Sequence, residues 1–370
     1  MMVRAPALLV PRRNMEKDPM EIANLPPKIT GPSVWYGPDL MQCRDWIVEL
    51  DAAQVAEIEG AARAILDAGI AVADITAENF PLPLTAPLIE DVVSECLHGR
   101  GFAVLRGLDP HADDIPMAAT MYYGIGTHMG RARSQNGKGH LLGHVCDLGL
   151  STKDGSVRIY QTTERQNYHT DSCDLVGLMC LRGAKSGGLS GLVSSMTIYN
   201  EMHDARPDLL CELFEPMATD RRGEVTADGR TYFEIPVFNY HEGYLSALYA
   251  PHYIRSAPRL EGVPPLTPAQ HAALDMLDAL ADDPRLHIEF ALEPGDLSFV
   301  HNHTVMHDRT AYEEWGDLER RRHLLRLWLA VPGARPLPDA YAQRYGSVTI
   351  GDRGGVVVPG VPLNAPLEPV

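Results

Sequence analysis

The stretch NYHTDSCDLVGLMCLRG, residues 167–183, decides the fold. Its second half, bounded by Asp174 and Gly183, is an apolar run that reads as a long strand buried in a core. Its first half closes a polar run, TTERQNYHTD, and leaves His169 and Asp171 at the mouth of that strand. Six similar runs, VRIYQT, GLVSS, RTYFEIPVF, HIEFALE, LSFVHN and HLLRLWLA, are divided by Gly, Pro and Asp. Many short strands with few helices favour a sandwich or jelly roll over a doubly wound sheet. The chain holds neither G-x-G-x-x-G nor a P-loop.

Outside this region the period changes. A helix capped by Asp51, with Gln54 three residues on, carries Val55, Ile58, Ala62 and Ile65 on one face. A second bears Ile89, Val92, Val93 and Cys96, stops at Gly99, and is followed by the buried strand GFAVLRGL. A third starts at Thr267, with Pro268 at its first position and Gln270 closing a capping box, and buries Leu274, Leu277 and Leu280. The expected fold is mainly β with flanking helices (α+β). Residues 1–35 lack periodicity and read as a weakly packed or partly disordered tail, and residues 36–331 form one domain with a helical N-terminal part. Residues 332–370 are an extended Pro/Gly-rich segment that wraps the domain or crosses to another subunit of a homo-oligomer.

Bulk composition excludes several classes. A hydrophobic share of 45% in 370 residues provides a globular core, yet no run is long enough to span a bilayer. A formal charge of -17 opposes nucleic-acid binding, which needs a basic surface. Six cysteines without a C-x-x-C pair indicate neither a zinc ribbon nor a disulfide framework, and a soluble cytoplasmic protein is expected.

His-x-Asp alone is a weak signal: His111-Ala112-Asp113 repeats it, and His287-Ile288-Glu289 is close to it. The segment EPGDLSFVHNHTVMHDRT offers His301, His303 and His307 as partners, and strand periodicity does not choose among them. Further on, RRHLLRLWL puts Arg322, Leu324, Arg326 and Trp328 on one strand face and His323, Leu325, Leu327 and Leu329 on the other. The leucine face must be buried. The arginine face then meets either solvent or an interior cavity, where a guanidinium requires an anionic partner.

Taken in order, HTD, VMH and RRHLLR, with Gln135-Asn136 before them and KSGGLSGLVSSMTIYNEM between, resemble the taurine dioxygenase family of iron(II)- and 2-oxoglutarate-dependent oxygenases. The resemblance runs from about residue 100 to residue 330 and implies a double-stranded β-helix. It implies that His169, Asp171 and His307 bind the metal, with Asn302, five residues earlier, singling out His307. It further implies that Arg322 and Ser190 hold the distal carboxylate of 2-oxoglutarate, across a connection lengthened by EEWGDLE. Arg326 then lies near the cosubstrate's other end and the substrate, with Tyr168 and Gln135 as further substrate contacts. Two imidazoles and one carboxylate leave open metal positions for 2-oxoglutarate and dioxygen. A guanidinium grips a carboxylate bidentately.

The implied reaction oxidises a C-H bond of a small molecule, anionic if Arg326 holds it, and releases succinate and carbon dioxide. Asp171 stands where related halogenases carry a small residue, so hydroxylation or desaturation is expected. The alternative is a jelly-roll metal-binding or sensor protein without turnover. Arg322 and Ser190 argue against it, because a bare metal site needs no carboxylate anchor.

Overall fold

The computed structural model describes residues 19–150, 158–224 and 229–369. Among these, a seven-stranded sheet runs Ile47–Glu49, Phe102–Arg106, Leu297–His301, Leu175–Arg182, His323–Ala330, Arg131–Ala132, with Leu142–Val145 also paired to His323–Ala330. A four-stranded sheet runs His287–Phe290, Ser190–Ser194, Val305–Arg309, Gln166–His169. Both are antiparallel apart from the pairing of Ile47–Glu49 with Phe102–Arg106.

Side-chain alternation assigns the layers. Phe102, Val104, Val176, Val300 and Trp328 of the large sheet meet Leu192, Ile288 and Val305 of the small one in a shared core. The opposite face of the large sheet, with Leu325, Leu327 and Leu329, packs on the helices Ala52–Asp67, Ala86–His98 and Ile115–Met129. Tyr168, Val193 and Met306 of the small sheet face Ser195–Ala205, Pro207–Glu212 and Pro268–Ala281. Two sheets face to face, clad by helices outside, form the expected jelly roll. The capping boxes at Asp51 and Thr267 form as the sequence implies.

Several elements depart from expectation. Within VRIYQT, Val157 lies outside the described residues, and Ile159–Gln161 is a 3-10 turn: Gln161 Oε1 accepts from Arg158 N and Thr162 Oγ1 donates to Ile159 O. Pro236 divides RTYFEIPVF into two strands, Tyr232–Ile235 and Phe238–His241, because it has no N–H to give a ladder. The strand LSFVHN ends at His301, and residues 302–304 turn before Val305–Arg309 begins.

Residues 1–18 of the expected N-terminal tail lie outside the described residues. From Met20 the segment is not loose: Met20 N donates to Glu215 Oε1, Ile29 N to Asn200 Oδ1 at 2.9 Å, and Trp35 N to Thr197 Oγ1 at 3.1 Å. The C-terminal segment wraps its own domain. Gly355 N donates to Ser172 O and Val356 N to Ser134 O, both at 2.7 Å. Arg353, fully buried, donates from Nε and Nη2 to Asp174 Oδ1 at 2.9 and 2.7 Å. No helix among the described residues is long and apolar enough to cross a membrane.

Candidate active site

Because Tyr168 and Met306 face the outer helices, their neighbours His169 and His307 face inward between the sheets. Register brings them together: His307 pairs directly with His169, and their ring centroids lie 4.2 Å apart. Asp171 follows the first strand, with Oδ1 3.9 Å from His169 Nε2 and Oδ2 3.8 Å from His307 Nε2. One ligating atom from each residue falls within 4.8 Å of the others. Of the three histidines left open by periodicity, only His307 reaches Asp171. His301 meets Thr304 Oγ1, and His303 Nε2 donates to Asp174 Oδ1 at 3.0 Å.

The surroundings orient this cluster. His169 Nδ1 donates to Asn167 O at 2.9 Å, which leaves Nε2 as the lone-pair nitrogen facing Asp171. Asp171 N donates to Asn302 Oδ1 at 2.8 Å, and Asn302 Nδ2 donates to Cys173 Sγ, so Asn302 pins the loop that carries the carboxylate. Trp328 Nε1 donates to Asp171 Oδ2 at 2.8 Å. Burial holds both imidazoles below their ordinary pKa, His307 at about 3, and keeps them neutral. Burial alone would raise the Asp171 carboxyl, but the Arg326 guanidinium and the Trp328 indole N–H bring it below the ordinary carboxylate value. Neutral imidazoles beside an ionised carboxylate suit a divalent transition metal.

Arg326 points inward with Trp328, which answers the question its strand face raised. Its Nε donates to Gln135 Oε1 at 2.7 Å and Nη1 lies 3.7 Å from Asp171 Oδ2, while Gln135 Nε2 holds Arg326 O at 2.8 Å. Gln135 and Arg326 both line the cleft that opens from the cluster, which encloses about 1030 Å³ including its solvent mouth. Tyr168 does not reach that cleft. Strand parity with His169 sends its ring to the outer core, where its hydroxyl is buried. The expectation of a substrate contact there is corrected.

Arg322 is buried, with Nη1 lacking any hydrogen-bond partner and its guanidinium 5.1 Å from the Tyr312 ring. Burial lowers its pKa, an effect that Tyr312 and the Glu314 carboxylate only partly offset, so the guanidinium favours a further anionic partner. Arg309, which the sequence reading did not single out, lies over the same ring at 4.7 Å, and Ser190 is its register partner. A Cβ on Gly188 would sit 3.2 Å from Arg322 Nε, so the turn before Ser190 packs against the guanidinium. An orphaned cation beside a second arginine fits the far carboxylate of a dicarboxylate cosubstrate.

Three residues of this region escaped sequence reasoning: Trp328 as a partner of Asp171, Arg309, and Arg344 on the cleft wall. Trp328 shares the face of Arg326 and Arg309 lies two residues beyond His307, so strand parity held the signal for both. No local pattern marks Arg344.

A jelly roll with two histidines and a carboxylate between its sheets defines a non-haem metal oxygenase class. Residues 67–328 match the taurine catabolism dioxygenase TauD, TfdA family. The chain belongs to this family, and it is an iron(II)- and 2-oxoglutarate-dependent dioxygenase that uses dioxygen. It is 32% identical over 324 residues to FR-33289 synthase of Streptomyces rubellomurinus, covering 86% of this chain and 95% of that protein. It is 29% identical over 329 residues to the taurine hydroxylase-like protein SAT17 of Stachybotrys chartarum, covering 83% of each. A uridine-5'-phosphate dioxygenase of an Amycolatopsis species is 31% identical over 189 residues, 47% of this chain and 65% of that protein. The fold is shared with asparagine oxygenase in complex with Fe(II), 3-hydroxyasparagine and succinate. There the TM-score is 0.60 at 17% identity, covering 77% of this chain and 93% of the other. It is also shared with the non-heme iron oxygenase OrfP in complex with Fe and alpha-ketoglutaric acid, with a TM-score of 0.57 at 16% identity over 76% and 93% of the two chains.

Proposed function

We propose that His169, Asp171 and His307 hold the iron(II), and that Arg322, with Ser190 and Arg309 beside it, holds the distal carboxylate of 2-oxoglutarate. Arg326 and Gln135 then border the substrate end of the cleft. Iron with 2-oxoglutarate and dioxygen supplies the oxidising equivalents, with succinate and carbon dioxide as coproducts. The chain's own residues bind and orient. Asn302 and Trp328 fix Asp171 from the backbone and side-chain directions, Asn167 fixes the His169 tautomer, and the two sheets shield the cluster from bulk water.

The outcome is hydroxylation or desaturation at a C-H bond of a small anionic molecule. Asp171 occupies the carboxylate position, so all three protein ligands are present and hydroxylation or desaturation is preferred over halogenation. The anionic reading is supported by the arginines on the cleft wall, Arg158, Arg221, Arg326 and Arg344. One relative is named for a phosphate ester, uridine-5'-phosphate, and another is named as taurine hydroxylase-like. Free cysteines throughout the described residues favour a reducing cytoplasmic setting.

The observation that carries the assignment is the convergence of three ligand atoms on the inner face, and the orphaned Nη1 of buried Arg322 supports it. The test is succinate formation from 2-oxoglutarate by the iron-loaded protein, compared with His307→Ala and Arg322→Ala. Wild-type turnover with loss in both variants supports it. Equal turnover in all three removes the assignment.

A further inference from the structure

Beyond Arg326 and Trp328 the cleft ends at a wall built by three segments remote in sequence. Arg158 and Glu224 come from the domain, and Arg344 comes from the C-terminal segment, past residue 328 where the family match ends. Arg158 Nη2 donates to Glu224 Oε1 at 2.5 Å, and Arg344 Nη1 donates to Glu224 Oε2 at 3.3 Å. Each arginine is also held from behind: Arg158 Nη1 donates to the Tyr253 hydroxyl at 3.0 Å, and Arg344 Nε donates to Ser172 Oγ at 2.8 Å. Ser172 is the neighbour of Asp171, so this wall stands one residue from the metal loop.

The charges do not balance. Two guanidiniums share one carboxylate, and the Glu224 and Arg344 side chains are each only 11% exposed. Asp220, also on the wall, is committed elsewhere, because Arg259 and Ser256 donate to its Oδ2. Arg344 Nη2 has no partner among the described residues. The trio of Arg158, Arg344 and Glu224 therefore carries one net positive charge at low exposure, where charge is costly until an anion arrives.

We propose that Arg158 and Arg344 form an oxyanion subsite for the substrate, and that Glu224 is a built-in placeholder displaced by a phosphate, phosphonate or sulfonate group. The subsite rests on the proposal that this cleft holds the substrate. Glu224 already shows what the two arginines bind, since its oxygens occupy the position an incoming anion would take. A tetrahedral oxyanion has a third oxygen that a carboxylate lacks, matching the free Nη2 of Arg344 and the nearby Ser172 and Tyr253 hydroxyls. The larger charge of a phosphate or phosphonate also neutralises both guanidiniums once Glu224 has turned away, whereas a sulfonate only matches the single charge of Glu224. Specificity then comes from the C-terminal segment, which contributes Arg344, rather than from the matched region alone.

The test is calorimetric titration of inorganic phosphate and methylphosphonate into the full chain, loaded anaerobically with iron(II) and saturated with 2-oxoglutarate so that Arg322 is engaged. Removing the placeholder charge in Glu224→Gln should tighten binding about tenfold or more, and Arg344→Met should weaken it by a similar factor. The double variant Glu224→Gln/Arg344→Met should lose the gain, and Arg344→Lys should restore part of it. Circular dichroism confirms that each variant is folded. Unchanged or weaker binding in Glu224→Gln overturns the proposal, as does a double variant that binds as tightly as Glu224→Gln. The visible charge-transfer band of the iron–2-oxoglutarate complex reports separately on the oxygenase centre. If that band forms and the titrations are flat, the subsite alone is wrong. If the band is absent, the centre is wrong, and the same titrations on metal-free protein still decide the subsite.

Discussion

Trp328 donates its indole hydrogen to Oδ2 of Asp171 at 2.8 Å, tying the C-terminal half of the strand His323–Ala330 to the carboxylate between His169 and His307. A hydrogen-bonded carboxylate keeps its rotamer when the metal is absent, so less ordering is required on binding. Replacing Trp328 by Phe keeps most of the buried ring and removes the donor. Iron(II) affinity should fall about tenfold, with a stability loss of about 1 kcal/mol. Unchanged affinity in a metal titration would show that Asp171 is oriented by other contacts.

Asn302 is fully buried and reaches both Asp171 N and Cys173 Sγ. Asn302→Ala leaves the Asp171 amide without its acceptor, a loss of about 2 kcal/mol of folding free energy. Metal affinity should drop in the same variant, because the loop holding the carboxylate loosens. Urea denaturation and metal titration check both effects, and a variant with full affinity and lowered stability would confine Asn302 to a structural role.

Arg322→Ala should raise the KM for 2-oxoglutarate about 30-fold, from loss of about 2 kcal/mol of charge-assisted contact to a buried carboxylate. Steady-state kinetics with varied 2-oxoglutarate test this. An unaltered KM would move the anchor to Arg309, the other buried guanidinium over Tyr312.

Much of this architecture was legible in the chain. The alternation of HLLRLWLA correctly separated Arg326 and Trp328 from Leu325, Leu327 and Leu329, because a strand between two packed faces keeps its period of two. The same parity could have excluded Tyr168, since it must oppose His169. The helix Ile115–Met129 was hidden because it is buried nearly all round and has no polar stripe to mark a period. Arg344 and Arg353 were unreadable for another reason. Their positions follow from how a Pro/Gly-rich segment wraps onto Ser172 and Asp174, contacts that no local pattern encodes.

Acid should destabilise the metal-free fold through buried imidazoles. His144 Nε2 donates to Pro366 O, so its Nδ1 accepts from His323 Nε2 at 2.8 Å, and both rings are neutral. Burial depresses both pKa values, that of His323 to about 3, with His144, Arg182 and Arg322 adding to the effect on His323. Between about pH 6.5 and 3 the unfolded chain binds protons that the folded one excludes. Stability therefore falls as pH is lowered, by up to about 1.4 kcal/mol per pH unit for each such ring. His323→Gln should show a shallower decline between pH 7 and 5 in denaturant titrations, and equal slopes would contradict the assignment.

The proposed iron site turns on His307, and not His303, as the partner of His169 and Asp171. The direct measurement is the iron(II) binding isotherm of folded His307→Ala and His303→Ala proteins. The geometry predicts that His307→Ala loses high-affinity binding, since His307 faces Asp171 at 3.8 Å. It predicts that His303→Ala retains such binding despite lower stability, since His303 is committed to Asp174 at 3.0 Å. Retention of iron by His307→Ala together with its loss from His303→Ala would contradict the account.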